Sequence, residues 1–128
     1  MSYITVADIQ DSIAEGIDLT NYILESDGEI EDVAEQVGVR DADDIETDPL
    51  HYKVRRFAVV YVLMRMCQDK VGVSNLENPQ ANKYLIGYEM YRAQLKELRS
   101  QITASMVTGD VDEIRDRANT QMGGLFRS

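Results

Sequence analysis

Between Pro49 and Val71 runs the stretch that leaves this chain the fewest choices, PLHYKVRRFAVVYVLMRMCQDKV. Leu50, Val54, Phe57, Tyr61 and Met64 recur at alternating steps of four and three, the spacing that stacks side chains on one helical face. Ala58, Val59, Val60, Val62 and Leu63 fill the other sides. The middle of the helix is therefore apolar nearly all round and needs neighbours on several faces. Asp48 before Pro49 suits an N-cap followed by a proline in the first turn. Phe57 to Met64 alone would also satisfy a buried strand, but the helical spacing continues beyond it and basic residues flank it, which favours helix. Arg56 and Arg65 bracket an apolar run far shorter than the roughly 20 residues of a membrane span, so no membrane crossing is expected.

A second long helix is expected from about residue 80 to 104. Tyr84, Tyr88, Tyr91, Leu95, Leu98 and Ile102 follow at steps of four, three, four, three and four. This seam matches that of the first helix and predicts an antiparallel hairpin of residues 49–71 and 80–104, with Tyr61 and Leu95 both buried. Arg92, Lys96, Arg99, Glu89 and Glu97 are placed on its outer side. The intervening VSNLENP reads as a turn.

Before the hairpin, the sequence predicts short helices. TVADIQDSIAEG reads as one amphipathic helix, capped by Thr5 with Asp8 completing the box, carrying Val6, Ile9 and Ile13 inward and ending at Gly16. DLTNYILES offers Leu19, Tyr22 and Ile23 to the core, and Asp27–Gly28 is expected to break the chain. EIEDVAEQVGV follows, with Ile30, Val33, Ala34 and Val37 inward and Gly38 as its stop. RDADDIETD is a polar connector. Asp41 and Asp43 would fit the first two ligand positions of a calcium loop, but Ile45 occupies the third and Glu46 the place of the glycine, so no metal is expected. After the hairpin, TASMVTG should fray, DVDEIRDRAN forms a short helix, and TQMGGLFRS closes the sequence. The reading divides into a helical domain, residues 1–120, and an extended docking tail, residues 121–128. In that tail Gly123 and Gly124 form a joint that frees Leu125 and Phe126 to enter a groove on another protein, with Arg127 at its rim. The expected fold class is thus all-α, a small bundle built on a long hairpin.

Charge is distributed unevenly. Of the net −10, residues 1–48 hold fifteen acids against one arginine, and the remainder holds twelve Lys and Arg against eight acids. Such a polar chain can attract its own copies, the acidic part of one approaching Arg55, Arg56, Arg92 and Arg99 of another. Catalytic chemistry finds little purchase. His51 is the only histidine and falls at a helix start, where it suits a capping or surface role. Cys67 is the only cysteine and lies inside the apolar helix, which excludes a disulfide framework and suggests an inert thiol. No Gly-rich phosphate loop follows a strand. Seven tyrosines without tryptophan suggest contact surface rather than cofactor stacking. No enzyme activity, cofactor or metal is expected. Asp8 and Asp11 fall where a secretory signal would carry its apolar core, so no signal peptide is expected.

The chain resembles the small helical head–tail connector proteins of tailed bacteriophages, also called adaptors or head-completion proteins. The residues that carry the resemblance are YITVADI at the N-terminus, the apolar-basic helix LHYKVRRFAVVYVLMRMCQDKVG and the following NKYLIGYEMYRAQLKELRSQI, about half the chain. The region before the central helix is shorter and more acidic than the family pattern. The resemblance implies a virion protein of the neck, made in the host cytoplasm, forming a homo-oligomeric ring, usually of twelve copies, below the portal protein. Such a ring extends the channel through which DNA is ejected and joins the head to a downstream neck, stopper or tail protein. The resemblance also implies a C-terminal arm that reaches the portal. An acidic channel wall lets DNA slide without sequence reading, since counterion-releasing phosphate contacts need Lys and Arg. Two other readings compete: a generic helical subunit of a cellular complex, for which the sequence offers no separate sign, and an acidic DNA mimic that inhibits a nucleic-acid-binding enzyme. The mimic draws on the acidic first 48 residues, while the basic remainder speaks against it.

Overall fold

The computed structural model describes residues 2–73 and 79–109. They are all-α, with no strand among them. They form four helices, α1 (Thr20–Gln36), α2 (Tyr52–Val73), α3 (Pro79–Gln101) and the one-turn α4 (Ala104–Thr108), with two single 3-10 turns before α1 and a third between α1 and α2. The expected hairpin is present. Lys53 Nζ donates to Gln101 Oε1 at 3.4 Å and Arg56 Nη2 to Gln94 Oε1 at 3.4 Å, while the α-carbon of Gly87 lies over Cys67, so α2 and α3 run antiparallel. α1 packs on another side of α2 and is antiparallel to it, since Tyr22 meets Asp69 and Glu25 meets Arg65. The architecture is up-down-up, with α2 as the helix against which both others lie.

The near-circular apolar pattern of α2 is explained by that central place. Val54, Phe57, Ala58, Val59, Val60, Val62, Leu63, Met66 and Cys67 are all buried. Tyr61 and Leu95, expected in the core, are only half-buried. Tyr61 lies on the flank of α2 that faces α1, and its hydroxyl reaches the exposed Glu25 at 3.3 Å. Along α3 and just past its end the predicted seam holds: Tyr91 and Ile102 are buried, and Tyr84, Tyr88, Leu95 and Leu98 pack against the core.

The boundaries differ from expectation for local reasons. α2 begins at Tyr52, not at Pro49, and Asp48 is not its cap. Instead His51 caps it: Nδ1 accepts from Lys53 N at 3.1 Å and its carbonyl from Arg55 N at 2.9 Å. α3 ends at Gln101, and TASMVTG does not fray. Thr103 is extended and its hydroxyl accepts from Met106 N, opening α4, which Gly109 closes at φ +70°. TVADIQDSIAEG is not one helix but two single 3-10 turns, Val6–Asp8 and Ser12–Ala14. The Thr5–Asp8 box forms as predicted, yet Asp11 accepts from Ile13 N and starts a second turn. Capping groups three to six residues apart here compete with helix propagation. α1 is continuous through Asp27–Gly28 rather than broken there, because Ile23, Ile30, Val33 and Ala34 present one unbroken face to α2. Gly38, at φ +95°, lies just past its end as expected. The turn over residues 74–78, the helix expected in 110–119 and the tail 121–128 with its domain boundary lie outside the described residues.

Candidate interaction surfaces

α1 carries six carboxylates and no base. Side chains of the hairpin draw some of them inward. Arg99 Nη2 meets Glu29 Oε2 at 2.8 Å and Nη1 meets Asp32 Oδ2 at 3.4 Å, while its guanidinium carbon lies 5.5 Å from the centre of the Phe57 ring. One side chain of α3 thus touches both α1 and α2. Arg65 Nε meets Glu25 Oε2 at 3.0 Å and Nη1 meets Asp69 at 3.4 Å. Tyrosines add neutral donors. Tyr22 donates to Asp69 at 2.7 Å, Tyr3 to Glu31 at 3.3 Å, Tyr61 to Glu25, and Tyr91 to Asp11. Burial, then the nearby carboxylates, pushes the Tyr3 and Tyr22 hydroxyls up to about 12, and Tyr61 and Tyr91 are raised by the same causes.

The four arginines expected at a contact between copies occupy different situations. Arg92 is exposed on α3. Arg55 and Arg56 are exposed on the first turns of α2, Arg55 bonding the Leu50 carbonyl at 3.1 Å. Arg99, expected on the outer side, instead turns inward and is engaged within the chain, the acidic front attracting it in cis. Gly123, Gly124, Leu125, Phe126 and Arg127 lie outside the described residues.

Among the described residues no group of three or more His, Cys, Asp or Glu side chains could hold a metal ion, and Asp41 merely accepts from Asp43 N at 3.0 Å in a 3-10 turn. Burial pushes the Cys67 thiol up to about 11, so it is not a nucleophile at neutral pH. Burial, and then Lys53, holds His51 below its ordinary value of 6.5. An open groove of about 410 Å³ lies between the two N-terminal turns, lined by Val6, Ile9, Ala14, Ile17 and Leu19 with Asp11 and Glu15 beside them. No helix among the described residues is long and apolar enough to cross a membrane.

The surface feature that sequence reading passed over is apolar. Ile86, Met90 and Leu85 on the outer side of α3 are 59%, 46% and 40% exposed, and Leu24 on α1 is 58% exposed. Ile86, Met90 and Ala93 follow at steps of four and three, a second seam behind the tyrosine seam and legible by the same rule. No family model matches the chain, and no curated protein and no solved structure matches it.

Proposed function

We propose that this protein is a non-catalytic head–tail connector of a tailed bacteriophage, located in the neck of the virion. A ring of identical copies, twelve by likeness to the family, sits below the portal, extends the DNA channel and receives the downstream neck or tail component. The observation that carries this reading is the combination of a three-helix body with contact surfaces on its outer faces: acids along α1, and apolar residues among charges of both signs along α3. A stacked structural ring needs such faces on both sides. Leu125 and Phe126, beyond Gly123 and Gly124, supply the arm to the portal, with Arg127 paired to an acid there.

Deleting residues 123–128 tests the reading. The truncated protein keeps its melting temperature and loses co-sedimentation with portal-bearing particles. Full binding by the truncated protein removes the anchor role, and failure of the intact protein to bind such particles removes the connector role. The six carboxylates of α1 favour a second reading, an acidic DNA mimic. Arg65 and Arg99 weigh against it, because they hold Glu25, Glu29 and Asp32 in pairs within the chain. Competition with DNA for a nucleic-acid-binding enzyme by a stable monomer is the result that would favour the mimic.

A further inference from the structure

Ile4 and Leu19, 1% and 3% exposed, pin the N-terminal segment at two points, and between them only Ile9 and Ala14 are buried. The described backbone hydrogen bonds of residues 5–17 all close within that stretch, in its two single 3-10 turns. Such turns have little cohesion of their own, so the stretch is held by what it touches. It lies along Val59, Leu63 and Cys67 of α2, residues four apart and therefore on one helical face. The contact is loose toward one end, where Asp8, Gln10 and Asp11 stand across a cleft of about 350 Å³ from Arg56, Val59 and Leu63. Toward the other it is close. A Cβ at Gly87 would lie 3.1 Å from Ile13 Cδ1 and 3.0 Å from Cys67 Sγ. Glycine there leaves a seat on α3, and Ile13 fills it beside the sulfur. One turn on, the Tyr91 hydroxyl donates to Asp11, the one side-chain tie from residues 5–17 to the hairpin among the described hydrogen bonds. Gly16, at φ +77° with open space around it, turns the chain back toward α1.

We infer that residues 5–17 form a strap that lifts from the hairpin as a unit while the three long helices stay folded, and that this strap controls access to Cys67. Its fastenings are few and lie together: Ile13 in the seat at Gly87, and Asp11 under Tyr91. Losing them breaks no backbone hydrogen bond of α1, α2 or α3, so the opening costs less than global unfolding. Lifting the strap uncovers the Val59–Leu63–Cys67 stripe, and the sulfur, wholly buried when the strap is down, meets solvent. The inference stands apart from the connector reading and does not need it.

Cys67 is the only thiol, so it reports the opening directly. The full chain is reacted with N-ethylmaleimide at fixed pH and followed by mass spectrometry, at urea concentrations below the unfolding transition. The wild type labels without urea, at a rate that urea changes little. Ile13→Ala and Tyr91→Phe each speed labelling by roughly tenfold, with helicity by circular dichroism unchanged. Arg99→Met, which loosens the helices away from the strap, leaves the rate without urea as it is. Hydrogen exchange gives a second reading: the amides of Ile9, Ala14 and Ile17 exchange together and well before those of Ile30 and Val60. Should Ile13→Ala lose helicity, Ile13→Val replaces it. Labelling that requires urea, or that steepens with urea from the outset as global unfolding does, overturns the inference. So do strap variants that label no faster than Arg99→Met, and strap amides protected as fully as those of α2.

Discussion

Arg99 ties α3 to both other long helices, through the carboxylates of Glu29 and Asp32 and the face of the Phe57 ring. Its side chain is about a third exposed, so solvent screens the pairs, and Arg99→Met should cost about 1 kcal/mol, read from urea unfolding. Phe57 beneath it is fully buried, and Phe57→Ala should cost about 3–5 kcal/mol in the same measurement. The burial of Phe57 was legible because the helical pattern of α2 fixes it. The inward turn of Arg99 was not, since a heptad assigns a residue to a flank without saying which charges stand across from it. His51 offers a pH test. Its Nδ1 must be unprotonated to accept from Lys53 N, and its value is lowered in the fold. Its contribution is therefore present above 6.5 and lost as pH falls below that value. His51→Asn, which keeps a capping acceptor, should flatten the stability difference between pH about 7.5 and about 5.5. An unchanged slope in that variant would show that other groups set the acid response.

At the scale of elements, α1 shows what wins when local signals conflict. Asp27–Gly28 is a turn signal, yet a helix continues through it because Ile23 and Ile30 on either side are both held against α2. The opposite outcome holds for residues 5–16, where the apolar spacing predicts a helix and two competing caps divide it into single turns. Periodicity reads which residues face the core, and it did so for Ile9, Ile30, Val33 and Tyr91. It does not weigh tertiary burial against turn chemistry, and that balance decided both segments. The outer face of α3 was legible by the same spacing, but a seam of Ile86, Met90 and Ala93 is less conspicuous than one with three tyrosines. The continuity of α1 makes a checkable prediction. With open space over Gly28 and ordinary helical backbone, Gly28→Ala should raise the stability of the isolated chain by about 0.5–1 kcal/mol. A chain broken at Asp27–Gly28 would gain nothing, so a thermal melt of the dilute variant distinguishes the two.

For the molecule as a whole, the acidic front is fastened to the rest by two kinds of donor with different pH limits. The guanidinium groups of Arg65 and Arg99 stay charged across the alkaline range. The tyrosine hydroxyls do not: Tyr22 and Tyr61 join α1 to α2, Tyr3 holds the N-terminal segment to α1, and Tyr91 holds that segment to α3 through Asp11. Each hydroxyl donates to a carboxylate, and a phenolate in the same place could neither donate nor tolerate the neighbouring charge. Their values are raised above 10, to about 12 for Tyr3 and Tyr22, so the fold binds these protons more tightly than the unfolded chain does. A raised value contributes stability that is complete below pH 10 and is lost as pH rises through about 12. Urea midpoints should therefore hold steady to about pH 10 and fall beyond it. Tyr91→Phe removes one titrating group and should lower stability at neutral pH while making the alkaline fall shallower. Equal slopes in wild type and Tyr91→Phe would mean that the hydroxyl of Tyr91 is not among the fastenings, and that Tyr3 and the apolar packing of Ile4, Ile9 and Ile13 hold the N-terminal segment.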